Sequence, residues 1–293
     1  MIVDQFLNYL RYERNRSPLT VQSYEENLRD FEAYVRGVDD YLSLLTVDTD
    51  VIRGWVEHLM DQGKKPATVN RALSALRSFY RFALSRHLVE HDPAHMVMGP
   101  RKSKPLPQFV REKDMNYLLD GLHWDDTYKD VRARTILLLF YETGIRLAEL
   151  VGLDDDDVDL AAMQLKVTGK RDKQRLVPFG QELADAIQHY MSLRNQEVEK
   201  ASPALFLGAK GQRVTRGSVQ ALVRKYLTGA TTLQKRSPHV LRHSFATAML
   251  NNGGGLESVK KLLGHQSIST TEIYTHTTFE QLKRVYNEAH PRA

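Results

Sequence analysis

The sequence has no cysteine among its 293 residues. Disulfides, thiolate nucleophiles and cysteine-ligated zinc sites are therefore excluded, a reducing compartment suits the chain, and any nucleophile must be an oxygen or a nitrogen. The chain also lacks any apolar run near the roughly 18 residues that a membrane helix needs. No basic stretch followed by an apolar segment and a small-residue cleavage site opens it, so neither membrane insertion nor secretion is expected, and the protein reads as cytoplasmic. Internal repeats are missing too. One long stretch lacks acidic residues altogether: between positions 63 and 89 there is no Asp or Glu, while Lys64, Lys65, Arg71, Arg77, Arg81 and Arg86 all fall inside it.

With 42% hydrophobic and 26% charged residues and a net charge of +5, the composition is that of a globular protein able to meet a polyanion. Its length exceeds the usual single domain, so two cores are expected. The first part reads as four helices. Residues 2–14 carry Phe6, Leu7 and Leu10 at helical spacing, and Ser17-Pro18 interrupts them; residues 20–36 follow, with Gly37 as a stop. A third helix spans residues 49–61, and a fourth runs from Pro66 to near His91 with Val69, Leu73, Leu76, Tyr80, Ala83 and Leu84 as its buried stripe. On that fourth helix Asn70, Ser74, Arg77 and Arg81 share one polar, positive face, either a groove-entering surface or a solvated one.

Prolines 93, 100, 105 and 107, with Gly99, then surround the basic run Arg101-Lys102-Ser103-Lys104, the signature of an extended linker. The expected organisation is a helical domain over residues 1–92, a linker over 93–107 and a second domain over 108–293. That second domain should begin with helices over residues 112–122 and 131–143. A β-hairpin of residues 163–167 and 175–178 should follow around a turn containing Gly169 and Asp172, with helices to the end. The fold class is mainly α with a small antiparallel β-sheet. Four consecutive aspartates, residues 154–157, read as a solvated loop; a metal site is the alternative.

Several short motifs carry candidate chemistry. Arg146 lies in Thr-Gly-Ile-Arg-Leu-Ala-Glu-Leu, near the start of a helix, with Glu149 one turn on to fix its guanidinium. Arginine suits phosphate because its planar fork binds two oxygens and keeps its charge. His239 and Arg242 in His-Val-Leu-Arg-His share a helical face, so one phosphate can touch both. His239 and His243 also have zinc-ligand spacing, but Val240 stands where a zinc peptidase needs Glu and no third ligand is evident. Lys170 occupies the hairpin turn in Gly-Lys-Arg-Asp-Lys-Gln-Arg, where an ammonium can protonate a leaving oxygen; Lys173 and Arg175 compete for that role. His265 follows Gly264, a helix cap, in Leu-Leu-Gly-His, and Tyr274 lies nine residues further in Glu-Ile-Tyr-Thr-His. A phenol with a pKa near 10 needs cationic neighbours to become a nucleophile.

In order and spacing these motifs resemble the tyrosine recombinase (integrase) family, most closely its Xer-like members, over nearly the whole chain. The hairpin departs from the family pattern: Arg171 replaces the second Gly of Gly-Lys-Gly. The resemblance implies a four-helix, SAM-like core-DNA-binding domain before a tyrosine-recombinase catalytic domain. It implies that Tyr274 attacks a DNA phosphate to give a 3′-phosphotyrosyl link. Arg146, Lys170, His239, Arg242 and His265 would serve that attack, without metal or cofactor, and exchange would pass through a Holliday junction. DNA contacts are expected at Asn70, Ser74, Arg77, Arg81, Lys102, Lys173 and Arg175.

The implied partners are double-stranded DNA with paired half-sites and three further subunits, as a homotetramer or with a second recombinase. The amphipathic segment 279–289 either covers its own domain or, as the family implies, docks on a neighbouring protomer. Rival readings are a type IB topoisomerase and a DNA-binding protein with a lapsed site.

Overall fold

The computed structural model describes residues 2–101, 108–169, 172–264 and 276–293, the side chains of 276–278 excepted. The chain divides into two compact units, Met1–Pro105 and Leu106–Ala293.

In the first unit α1 (Ile2–Asn8) runs on through a π-helical turn (Tyr9–Glu13). It is followed by α2 (Pro18–Val38), α3 (Thr49–Asp61) and α4 (Pro66–Ser85). Pro18 begins α2 because its missing N–H is not needed there, and the Ser17 hydroxyl accepts from Thr20 N at 3.3 Å. Asp48 caps α3 on the amides of Asp50 and Val51, at 2.9 and 3.0 Å. One face of each helix closes over Phe6, Phe31, Trp55, Leu76, Phe79 and Tyr80. Two expected stops move. Gly37 lies inside α2 rather than ending it. The fourth helix ends at Ser85, short of His91, because His87 turns left-handed with φ at +56°, and Leu84 is exposed.

The segment expected as the start of a linker is folded onto this unit. Ala94 and Val97 are buried in its core, and Thr49 Oγ1 donates to Pro93 O at 3.1 Å. Asn70 Nδ2 donates to Pro100 O at 2.8 Å, while Arg77 donates to Ala94 O (3.3 Å) and Val97 O (2.5 Å). The polar face of α4 is thus neither wholly solvated nor wholly open. Asn70 and Arg77 satisfy the carbonyls of an irregular strap whose backbone has no ladder of its own, and Ser74 and Arg81 stay exposed.

The second unit opens with α5 (Glu112–Asn116) and a π-helical turn (Tyr117–Gly121). At its centre is α6 (Tyr128–Thr143), in which every residue from Thr135 to Thr143 is buried. Gly144 ends α6 in the left-handed region at φ +59°. After α7 (Leu147–Gly152) come β1 (Val158–Asp159), β2 (Gln164–Thr168) and β3 (Gln174–Pro178), paired antiparallel in that order, with Val167 opposite Arg175 and Leu165 opposite Val177. The expected hairpin therefore gains a short third strand. Five helices follow: α8 (Gln181–Glu197), α9 (Arg216–Ala230), α10 (Pro238–Asn251), α11 (Leu256–Leu263) and α12 (His276–Ala289).

The aspartates at 154–157 are not a solvated loop. Arg194, only 1% exposed, binds Asp155 through both nitrogens at 2.7 and 2.9 Å, Arg213 pairs with Asp154, and Lys166 pairs with Asp157. Three of the four carboxylates are spent on cations, and the Arg194–Asp155 pair ties this turn to α8, while Asp156 stays exposed.

Helix α12 packs on its own chain. Leu282, Tyr286 and Ala289 join Phe245, Met249, Val259, Leu262 and Leu263 in a separate apolar cluster against α10 and α11. Tyr286 Oη donates to Glu142 Oε2 at 3.1 Å, and His290 stacks on Tyr286 with ring centroids 5.1 Å apart. In the single chain, segment 279–289 thus covers its own domain.

Candidate active site

Glu149 stands at the centre of the site. As the third residue of α7 its carboxylate reaches back to the amide of Arg146, Oε2 accepting at 2.8 Å, so the anion that the helix start would attract is already supplied by the chain. The other oxygen, Oε1, accepts from Arg146 Nη1 at 2.8 Å. Arg175 grips the same carboxylate from β3, with Nη1 on Oε1 at 2.9 Å and Nη2 on Oε2 at 3.0 Å. Glu149 is 4% exposed and Arg175 8%. Burial alone would raise the pKa of Glu149; the hydrogen bonds and charge of Arg175, then those of Arg146, outweigh it and hold the group at about 2.

The end of α11 supplies the second half of the frame. Three successive carbonyls accept from three different arginines: Leu262 O from Arg175 Nε at 3.1 Å, Leu263 O from Arg242 Nη2 at 2.7 Å, and Gly264 O from Arg146 Nη2 at 2.9 Å. A helix C-terminus leaves such carbonyls unpaired and partially negative, so guanidinium groups are its natural caps. Arg242 also donates through Nη1 to Gly144 O at 2.6 Å. Both glycines have positive φ, +59° at Gly144 and +65° at Gly264, which turns each chain sharply at the end of its helix.

Arg146 and Arg175 share the one carboxylate, while Arg242 beside them is held only by neutral carbonyls, a surplus of positive charge. The strain of that surplus is visible in Arg242, whose pKa is pushed down to about 10 by burial and then by the charge of Arg146. It remains a cation at neutral pH. His239, one turn before Arg242 on α10, is exposed. Desolvation, then the charges of Lys235, Arg242, His243 and Arg146, lower its pKa below the ordinary imidazole value, so it is poised neutral and able to accept a proton. An anion arriving here would gain charge-assisted hydrogen bonds and relieve the repulsion among the arginines.

The structure therefore brings Arg146, Glu149, Arg175, His239 and Arg242 together. Lys173 is exposed on the hairpin, and its carbonyl accepts from Gly169 N at 2.8 Å. Lys102, Lys170, His265 and Tyr274 lie outside the described residues. Among the described residues no group of three His, Asp or Glu stands ready for a metal, and His243 is exposed rather than built into the core.

Arg175 departs from its expected place. It was expected among solvent-facing DNA contacts, yet its guanidinium is inside, spent on Glu149 and Leu262 O. Strand phase carries the signal: with side chains alternating across β3, Arg175 falls on the same face as buried Val177.

Models of known families divide the chain as its two units do. The phage integrase family matches residues 108–281, and the phage integrase N-terminal SAM-like domain matches residues 3–87. The chain belongs to the phage integrase family.

Its relatives share the full length. The tyrosine recombinase XerC of Azotobacter vinelandii is 41% identical over 294 residues, covering 99% of this chain and 96% of that protein. XerC of Pelotomaculum thermopropionicum is 38% identical over 303 residues, covering 99% and 98%. Among solved structures, the XerH site-specific recombinase bound to its difH substrate has a TM-score of 0.73 at 22% identity, covering 96% of this chain and 83% of that one. The Tn1549 transposon integrase with transposon-end DNA has a TM-score of 0.74 at 19% identity, with 97% of each chain covered. These two share the fold. As a phage integrase family member of the Xer-like, tyrosine recombinase type, the protein is an enzyme that cleaves and rejoins DNA in site-specific recombination.

Proposed function

We propose that the enzyme recombines paired DNA half-sites by transesterification, with Tyr274 as nucleophile. The observation that carries this is the placing of two arginines on one helix end, Arg146 on Gly264 O and Arg242 on Leu263 O, with an exposed, neutral imidazole beside them. That arrangement suits the two tasks a phosphodiester exchange sets besides attack and leaving-group protonation: holding the non-bridging oxygens and taking up the phenolic proton. Lys170 protonates the leaving 5′-oxygen, and His265 donates to the phosphate. The bond energy stays in a 3′-phosphotyrosyl link until the partner strand's 5′-hydroxyl attacks it, so no ATP, metal or cofactor is consumed.

DNA contacts come from the exposed Ser74, Arg81 and Lys173 and from Lys102, while Asn70 and Arg77 contribute by holding the 93–100 strap. Four subunits, identical or paired with a second recombinase, act on two synapsed duplexes through a Holliday junction, in the cytoplasm. Whole-length similarity to proteins named XerC favours chromosome dimer resolution over movement of a mobile element. Exchange of α12 between neighbouring subunits in that assembly requires release of its contacts with α10, α11 and Glu142.

The test is a covalent trap. Nicked duplexes from a genomic library, which lose the short strand on cleavage, should leave DNA attached to the wild-type protein in excess EDTA. Tyr274→Phe should capture none. Capture by the Phe variant, or loss of capture on chelation, refutes the mechanism.

A further inference from the structure

Arg175 makes no contact that a DNA substrate needs, yet it is the most completely used cation in the site. All three of its nitrogen positions are engaged: two on the oxygens of Glu149 and Nε on Leu262 O. It belongs to β3, Glu149 to α7 and Leu262 to α11, so a single guanidinium joins three elements that are far apart in the sequence. Glycines wall it in. A methyl group at Gly264 would stand 3.1 Å from its Cζ, Nε and Nη1, and one at Gly169 would stand 3.5 Å from Glu149 Oε1 and 4.0 Å from Arg175 Nη1. The close packing leaves no room for a side chain at Gly264, and the residues that follow these glycines are His265 and Lys170.

Consider Glu149 without this partner. It is buried, and it meets Arg146 through one oxygen on the side chain and one on the backbone amide. A carboxylate so placed is held by Arg146 alone, which must itself stay still to hold it, and it is poorly compensated in a desolvated setting. The bidentate grip of Arg175 anchors the carboxylate plane to β3, independently of Arg146, and supplies the second positive charge.

We propose that Arg175 is a positioning residue for DNA cleavage, acting through Glu149 to set the guanidinium of Arg146 against the scissile phosphate. This rests on the reading of Arg146 as a phosphate ligand. Lysine cannot replace it, because an ammonium is a point donor and cannot span both carboxylate oxygens and a carbonyl in one plane.

The experiment is a double-mutant cycle on the full chain, with single-turnover cleavage of a nicked suicide duplex at saturating DNA and binding measured separately. Arg175→Lys should slow cleavage about 10-fold or more while changing the Kd for the duplex by less than about 3-fold. In an Arg146→Lys background the same change should cost less than about 2-fold further, since the group it positions is already gone. A residue that merely holds the domain together would instead multiply with Arg146→Lys, and that result overturns the proposal. So does cleavage by Arg175→Lys at the wild-type rate. If the lysine variant does not fold, Arg175→Met, which fills the volume without charge, is carried through the same cycle. Should Arg146→Lys alone cleave at the wild-type rate, the phosphate reading of Arg146 fails whatever Arg175 does.

Discussion

Glu142 gives the most quantitative prediction. It lies near the end of α6, four residues before Arg146, has no exposed surface, accepts from Gly180 N at 2.9 Å and from Tyr286 Oη at 3.1 Å, and has no partner for Oε1 among the described residues. Burial raises its pKa to about 8 from the ordinary 4.5. Between those values the folded protein holds a proton that the unfolded chain has released, so stability falls as pH rises, by about 1.36 kcal/mol per unit. The loss is about 3 kcal/mol by pH 7 and about 4 kcal/mol by pH 8. His290 works in the opposite sense. Burial lowers it from 6.5 to about 4, so the unfolded chain takes up a proton that the folded state refuses, and stability rises with pH across that window. The two slopes cancel from about pH 4.5 to 6.5, and above that Glu142 acts alone.

Glu142→Gln keeps an oxygen for Gly180 and Tyr286 and removes the titration. Its stability relative to wild type should therefore climb with pH, by about 2 kcal/mol between pH 6 and pH 8, whatever constant cost the amide brings. Urea unfolding read by Trp124 fluorescence, in a Trp55→Phe background so that only the catalytic unit reports, measures it. A difference between the two proteins that stays level across that range would refute the burial argument.

Two further perturbations follow from the same geometry. Gly264→Ala places a side chain at φ +65° and 3.1 Å from the Arg175 guanidinium. It should cost about 1–2 kcal/mol in urea unfolding and slow suicide-substrate cleavage, whereas Gly152→Ala, in open space, should do neither. Arg77→Ala releases the carbonyls of Ala94 and Val97; loss of about 2 kcal/mol from the N-terminal unit, with new proteolytic cutting within residues 93–101, is the expected result, and unchanged protection would show that the strap holds without it.

Much of this was legible in the sequence because periodicity reports burial directly. The helix over 49–61, the shared helical face of His239 and Arg242, the hairpin around Gly169 and the pairing of Arg146 with Glu149 are all local events, set by spacing and caps within a few residues. What stayed hidden is long-range. Nothing near Asn70 says that its amide will meet Pro100 O thirty residues on, and nothing near Asp155 announces Arg194. A charged residue counts as exposed until a distant partner is known, which is why the sequence alone puts both the aspartates at 154–157 and Arg175 at the surface. Arg175 is the instructive case, since strand phase pointed inward while its charge pointed outward, and the partner that reconciles them is Glu149, 26 residues away.

The tyrosines near this site bear on which phenol can attack. A nucleophilic phenol must ionise near neutral pH, so its surroundings must favour phenolate. Tyr141, three residues before Gly144, is pushed up to about 12, by burial first and then by the charge of Glu112. Tyr286 is raised well above its ordinary value by burial and by Glu142, to which it donates. Tyr226, whose hydroxyl donates to Asp130, is raised to about 12, and Tyr190 is raised by burial as well. Each serves packing or a structural hydrogen bond, and each is harder to ionise than a free phenol. The arginine cluster has the opposite character, a surplus of positive charge facing an exposed imidazole. A phenol brought to that cluster would be stabilised as phenolate by the groups that hold the phosphate. In the proposed mechanism that phenol is Tyr274, ten residues beyond Gly264 in the sequence. The chemistry thus asks for a nucleophile that stays out of the core, and the buried tyrosines supply the contrast that makes the demand specific.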